Sequence, residues 1–196
     1  MKRIIIHWSA GTHKVSNLDR EHYHFIIAGD GTVEVGKYPV SANDSTSDSV
    51  YAKHTKDCNT GSIGVAVAAM AGAVEKPFST GVYPITTEQV SALVALCARL
   101  AKQYGIPVTR ETILTHAEVQ PTLGIKQAGK WDITWLPGFH TKRDPVETGD
   151  FIRAHIAAAI SPRVQVSVAP PAPPAIEPPR ARPGWLDFWQ WLTGAK

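Results

Sequence analysis

Residues 62–70 read Ser62-Ile63-Gly64-Val65-Ala66-Val67-Ala68-Ala69-Met70, an apolar run without alternating polar positions. A strand with one wet face alternates in polarity, so this run fits a strand covered on both faces near the middle of a sheet. Working outward, Ile4-Ile5-Ile6-His7-Trp8 is a short β-branched run and predicts a second buried strand. Tyr23 to Ile27 and Thr32 to Val35 flank Gly29-Asp30-Gly31, whose glycines supply the positive φ of a tight hairpin turn. Glu111 to Leu114 form a further short strand running into Thr115-His116. Over residues 87–104, Val90, Leu93, Val94, Cys97, Leu100, Ala101 and Tyr104 recur at helical spacing, with a Thr86/Gln89 capping box before them and Gly105 after. Asp144-Pro145, with Glu147 following, opens a last helix through Phe151, Ile152, Ile156 and Ile160. These elements predict an α/β fold, a central mixed β-sheet of about five to six strands flanked by helices.

The chain has 196 residues, 43% of them apolar, enough for one core and a small appendage. Its net charge of +3, from 20 basic and 17 acidic residues, lacks the clustered basic surface of a nucleic-acid binder, and no nucleic-acid partner is expected. Cys58 and Cys97 are too far apart in sequence to pre-arrange a metal site and read as free, buried thiols. The start, Met1-Lys2-Arg3, is basic, but three isoleucines before His7 fall short of the roughly 7 to 15 apolar residues of a signal peptide. Nor does any run reach the about 18 apolar residues of a spanning helix. Synthesis in the cytoplasm without a signal peptide is therefore expected.

From Ser167 to Gly184 prolines dominate, as in Ala169-Pro170-Pro171-Ala172-Pro173-Pro174, and such a run prefers an extended, semi-rigid form. The expected organisation is a main domain over 1–162, a Pro-rich linker over 163–184 and a short aromatic helix over 185–196. Trp185, Trp189 and Trp191 fit either docking on the domain or another copy, or contact with a membrane or wall.

Two histidines close predicted strands, His7 and His116, and Asp132 follows in Gly129-Lys130-Trp131-Asp132. Two imidazoles and a carboxylate recur as the ligands of a catalytic zinc whose fourth position takes water. Taken singly, each of the eight histidines equally fits a surface or hydrogen-bonded core role.

The joint pattern is more specific. Ile4 to Ala10, Tyr23 to Ile27 with Gly29 to Val33, His54 to Asn59 running into Ser62-Ile63-Gly64-Val65, Thr115 to Val119 and Lys130-Trp131-Asp132 follow one another as blocks. In that order the chain resembles the type-2 N-acetylmuramoyl-L-alanine amidase family over residues 3 to about 140. That family includes phage lysis amidases and peptidoglycan recognition proteins. The resemblance implies one Zn2+ per chain held by His7, His116 and Asp132, with Tyr23 and Lys130 assisting catalysis. It implies hydrolysis of the amide between N-acetylmuramic acid and L-alanine in peptidoglycan, in a phage or prophage endolysin that reaches the periplasm once a partner such as a holin opens the membrane.

His54 and Asn59 are candidate substrate contacts, or polar loop residues satisfying their own backbone. Glu118 is a further substrate-binding candidate, or else it orients a neighbour or caps the following turn. Two departures stand out: Ala66 occupies a position where some cytoplasmic relatives carry a glutamate, and the stretch between His7 and Tyr23 is short. Two other functions compete, a peptidoglycan-binding module that does not cut and a zinc peptidase acting within the peptide stem.

Overall fold

Five strands form one mixed sheet in the computed structural model, which describes residues 1–161: β1 Arg3–Trp8, β2 Phe25–Ile27, β3 Val33–Val35, β4 Ser62–Val67 and β5 Ile113–Thr115. Their order is β3-β2-β4-β1-β5, with β2, β4, β1 and β5 parallel and β3 antiparallel to β2. The expected mixed sheet is therefore present. β4 is central and buried at every position, as a run without polar alternation requires. It ends at Val67 rather than Met70, whose φ of 72° lies outside the extended region a ladder needs. The Pro-rich linker and the aromatic segment with Trp185, Trp189 and Trp191 lie outside the described residues.

Helices α1 (Asn17–His22), α2 (Thr87–Tyr104), α3 (His116–Leu123) and α4 (Pro145–Ile160) cover the sheet. Side chains alternate along β1. Ile4, Ile6 and Trp8 join the large core with Leu93, Cys97 and Leu100 of α2 and Ile152 and Ile156 of α4. Each of these buried aliphatic side chains contributes about 1.5–3 kcal/mol. Ile5 packs instead with Val119 of α3, on the face that also receives His7.

Two helices were not legible in the hydrophobic pattern. α1 has only six residues and is fixed by a reciprocal Ser16/Asp19 capping box. α3 begins immediately after β5, and the Glu118 carboxylate accepts from the Thr115 N–H at its start, 2.8 Å. This corrects Glu118 as a substrate contact. Its side chain has no exposed surface and is paired with Arg153 of α4 through two hydrogen bonds, 2.7 and 3.2 Å. Arg153 also donates to the Ile113 carbonyl at 2.7 Å, so one guanidinium ties α4 to β5 and to the start of α3. Gly149 faces this carboxylate, and a Cβ there would collide with Glu118 Oε2. Burial pushes the Glu118 carboxyl up while Arg153 pulls it down.

Removing one partner strands the other charge in the interior. Arg153→Met is expected to cost about 3–5 kcal/mol, read as a lowered denaturation midpoint in urea. A loss below about 1 kcal/mol would mean that the pair does not hold the helices together.

Candidate metal centre and cleft

The register of the sheet builds the site. His7 pairs with Ala66, and Ile6 pairs with Thr115, so His116 follows one step beyond β5 on the line where β1 presents His7. Both histidines thus stand at the carboxyl ends of parallel strands, where open α/β sheets hold their ligands. Asp132 arrives from a loop whose position is fixed through its backbone: the Ala117 N–H at the start of α3 donates to the Asp132 carbonyl at 2.7 Å. The neighbouring Trp131 packs edge-on against Trp8, ring centroids 4.6 Å apart, and Ile133 is fully buried.

The three side chains converge. His7 Nδ1 and His116 Nδ1 are 3.0 Å apart, and Asp132 Oδ2 is 3.3 Å from the first and 3.1 Å from the second. All three residues are buried, with 1%, 5% and 6% of their surfaces exposed. Burial, reinforced by the charge of His116, lowers His7 to about 4, which keeps its ring neutral near pH 7. Burial opposes ionisation of Asp132, yet the two imidazoles beside it hold its carboxyl well below the usual carboxylate range.

The far side of His116 defines its tautomer. Its Nε2–H donates to Gln127 Oε1 at 2.9 Å, and the Gln127 amide is oriented in turn by donating to the Lys56 carbonyl at 2.9 Å. Nδ1 therefore carries a lone pair directed at His7 and Asp132. Lone pairs and a carboxylate charge meeting at 3.0–3.3 Å repel one another unless a cation lies among them. Zinc fits: Zn–N and Zn–O bonds of about 2.0–2.1 Å in a tetrahedron put ligand atoms about 3.3 Å apart.

Above the triad lies an open cleft of about 540 Å³. Tyr23 reaches it from the end of α1, its ring centroid 5.1 Å from that of His7. Burial, then the charges of Asp132 and Asp19, push its phenol up, so it is a hydrogen-bond donor near neutral pH. Lys130 lines the cleft two residues before Asp132 and is exposed. Lys53 and Lys56 add two further ammonium groups at the rim, and Asp132 is the one carboxylate lining the cleft among the described residues.

The profile of the family described as N-acetylmuramoyl-L-alanine amidase matches residues 1–139, which include all three converging side chains. The chain belongs to this amidase family. No curated protein sequence matches it. Among solved structures it is similar to an N-acetylmuramoyl-L-alanine amidase of Clostridium intestinale, with 18% identity over 64% of this chain and 86% of that one and a TM-score of 0.40. It is similar also to the amidase AmiD of E. coli in complex with an anhydro-muropeptide substrate, at 19% identity over 68% and 52% of the two chains, TM-score 0.49. A bumblebee peptidoglycan recognition protein gives 17% over 70% and 84%, TM-score 0.40.

Within the amidase cleft, five residues singled out from the sequence stand together: His7, His116, Asp132, Tyr23 and Lys130. His54 and Asn59 also line it. The Asn59 side-chain oxygen is committed to the backbone N–H groups of His54 and Thr55, 3.1 and 2.9 Å, and shapes the 54–59 turn. His54 has only 7% of its surface exposed, and both ring nitrogens face polar groups of the protein. That leaves it no ring nitrogen for a hydrogen bond to a substrate, although the residue lines the cleft. Gln127 and Thr55 were not foreseen, since a glutamine in a loop and a threonine beside a histidine carry no pattern of their own.

Proposed function

We propose that the chain is a zinc-dependent hydrolase that cuts the amide between N-acetylmuramic acid and L-alanine, of the kind used by phage lysis systems. The observation that carries this reading is the meeting of His7, His116 and Asp132 within hydrogen-bond distance of one another under a solvent-open cleft, in a chain of the amidase family. Zinc, when bound by these residues, lowers the pKa of water to about 7 and acts as a Lewis acid toward a carbonyl.

The chain's own groups supply the rest. Attack on the amide puts negative charge on its oxygen, and Lys130 offers a cation at the cleft to meet that charge. The Tyr23 phenol, kept protonated by burial and by the nearby carboxylates, is available to donate a hydrogen bond at the same cleft. Ala66, paired with His7, presents only a methyl group where a carboxylate base could otherwise stand. Proton handling therefore falls to Tyr23 and Lys130 rather than to a glutamate.

Lys53 and Lys56 suit a substrate whose peptide stem carries free carboxylates. In the Lys53→Glu/Lys56→Glu double variant, KM for such stems is expected to rise on the order of tenfold with little change in kcat, and the difference should shrink in high salt. The Lys56 substitution leaves its backbone carbonyl free to hold Gln127. An unchanged KM at low salt would remove the lysines from recognition.

Digestion of purified wall by the full chain, followed by mass spectrometry, tests the function. The expected products are stems with a free L-alanine amino group and glycan strands with free lactyl carboxylates. New termini inside the stem would replace this reading by a peptidase. Tight wall binding with no new termini would replace it by a receptor.

A further inference from the structure

We propose that His54 and Thr55 are positioning residues that hold His7 in its Nε2–H form and thereby aim its Nδ1 lone pair at the metal position. The inference deepens the zinc reading and rests on it. The Ser62 carbonyl oxygen only accepts, so His54 Nε2, 3.4 Å away, carries the hydrogen. His54 Nδ1 is then a lone pair and accepts from the Thr55 hydroxyl at 2.8 Å. With that hydrogen committed, the Thr55 oxygen faces His7 Nε2 only as an acceptor, at 3.4 Å. His54 Nδ1 faces the same nitrogen of His7 at 3.3 Å. Every group opposite His7 Nε2 is therefore an acceptor. The hydrogen of the neutral ring belongs on Nε2, leaving Nδ1 bare toward His116 and Asp132.

The surroundings are built for this pair. Gly64, in the central strand, leaves room for the ring: a Cβ there would stand 2.5 Å from His54 Cγ. The Asn59 side chain clamps the two backbone N–H groups of residues 54 and 55. His54 thus does for His7 what Gln127 does for His116, and each imidazole of the triad is oriented from behind by a different loop. Partners behind a metal ligand commonly change metal affinity 10–100-fold when removed.

The test uses the full-length chain and three substitutions. His54→Phe keeps a ring but offers no acceptor, His54→Gln restores an acceptor oxygen, and Thr55→Val deletes the hydroxyl at nearly constant volume. Long-range ring-nitrogen NMR of the metal-free wild type is expected to show His7 as the Nε2–H form. The phenylalanine variant is expected to show a mixture of tautomers and to bind zinc about 10–100-fold more weakly in chelator competition. The glutamine variant is expected to recover part of that affinity, and the valine variant to lose a smaller part. An Nδ1–H ring in the wild type would overturn the proposal, as would wild-type zinc affinity in the phenylalanine and valine variants. If His54→Phe does not fold, wild-type tautomer and affinity in Thr55→Val overturn it alone. The tautomer readout requires no zinc and no wall. A wild type that takes up no zinc while showing the Nε2–H ring therefore rejects the zinc reading and leaves the ring orientation established.

Discussion

His116→Ala is expected to abolish both zinc binding and amide hydrolysis while leaving the fold intact. The substitution removes one of three donors and leaves Asp132 with a single imidazole partner, His7 at 3.3 Å. Loss of the metal removes several kcal/mol of stabilisation of the developing charge, a fall of at least about 10³-fold in kcat/KM. The helix should survive, because the group that caps α3 is the Glu118 carboxylate, which bonds the Thr115 backbone and does not involve the imidazole. Chelation of the wild type should reproduce the loss and added zinc should reverse it, whereas zinc should not rescue the variant. Metal content by atomic emission and dye release from labelled wall check both halves. A variant with one zinc per chain and wild-type release would take His116 out of the site.

Lys130→Ala is expected to separate chemistry from metal. Lys130 is exposed and lines the cleft but is no member of the converging triad, so zinc content should be unchanged. If its ammonium meets the charge that develops on the amide oxygen, kcat falls about 10²–10³-fold and KM moves little. Lys130→Arg should recover part of the rate, since it keeps the charge but changes the donor geometry. The neighbouring Asp132 is held by the backbone bond to Ala117 and by the packing of Trp131 on Trp8, neither of which uses the lysine side chain. Full turnover in the alanine variant would leave the oxyanion without its proposed partner.

Much of this architecture is written in local pattern. The isoleucines of β1, the unbroken apolar run of β4 and the periodic face of α2 identify themselves, because burial on a sheet or helix imposes a period that the sequence must obey. Caps were equally legible where a hydrophobic face followed them, as with Thr86/Gln89 and Asp144. The same chemistry at Ser16/Asp19 went unread, and at Glu118 it was legible only as one alternative, the cap of a turn, since the helices behind those caps are short and lack a strong apolar stripe. Glu118 shows the consequence. A carboxylate near a candidate ligand looks functional in one dimension and proves to be a buried strut paired with Arg153.

The site divides along similar lines. His7, His116, Asp132, Tyr23 and Lys130 could be singled out by their blocks of neighbours, and the fold places them around one cleft. Gln127 and Thr55 could not, because their partners come from distant loops: the Lys56 carbonyl for Gln127 and the ring of His7 for Thr55. Hydrogen bonds between remote segments leave no spacing to detect. They are also what decides which nitrogen of each imidazole carries its lone pair.

X-ray absorption at the zinc edge of the purified chain reads the ligand set of the bound metal itself. One zinc per chain is expected, with nitrogen and oxygen neighbours at about 2.0–2.1 Å and no sulfur. A shell of sulfur at about 2.3 Å would place the metal on cysteine and rule out His7, His116 and Asp132 as its ligands, as would a chain that takes up no zinc.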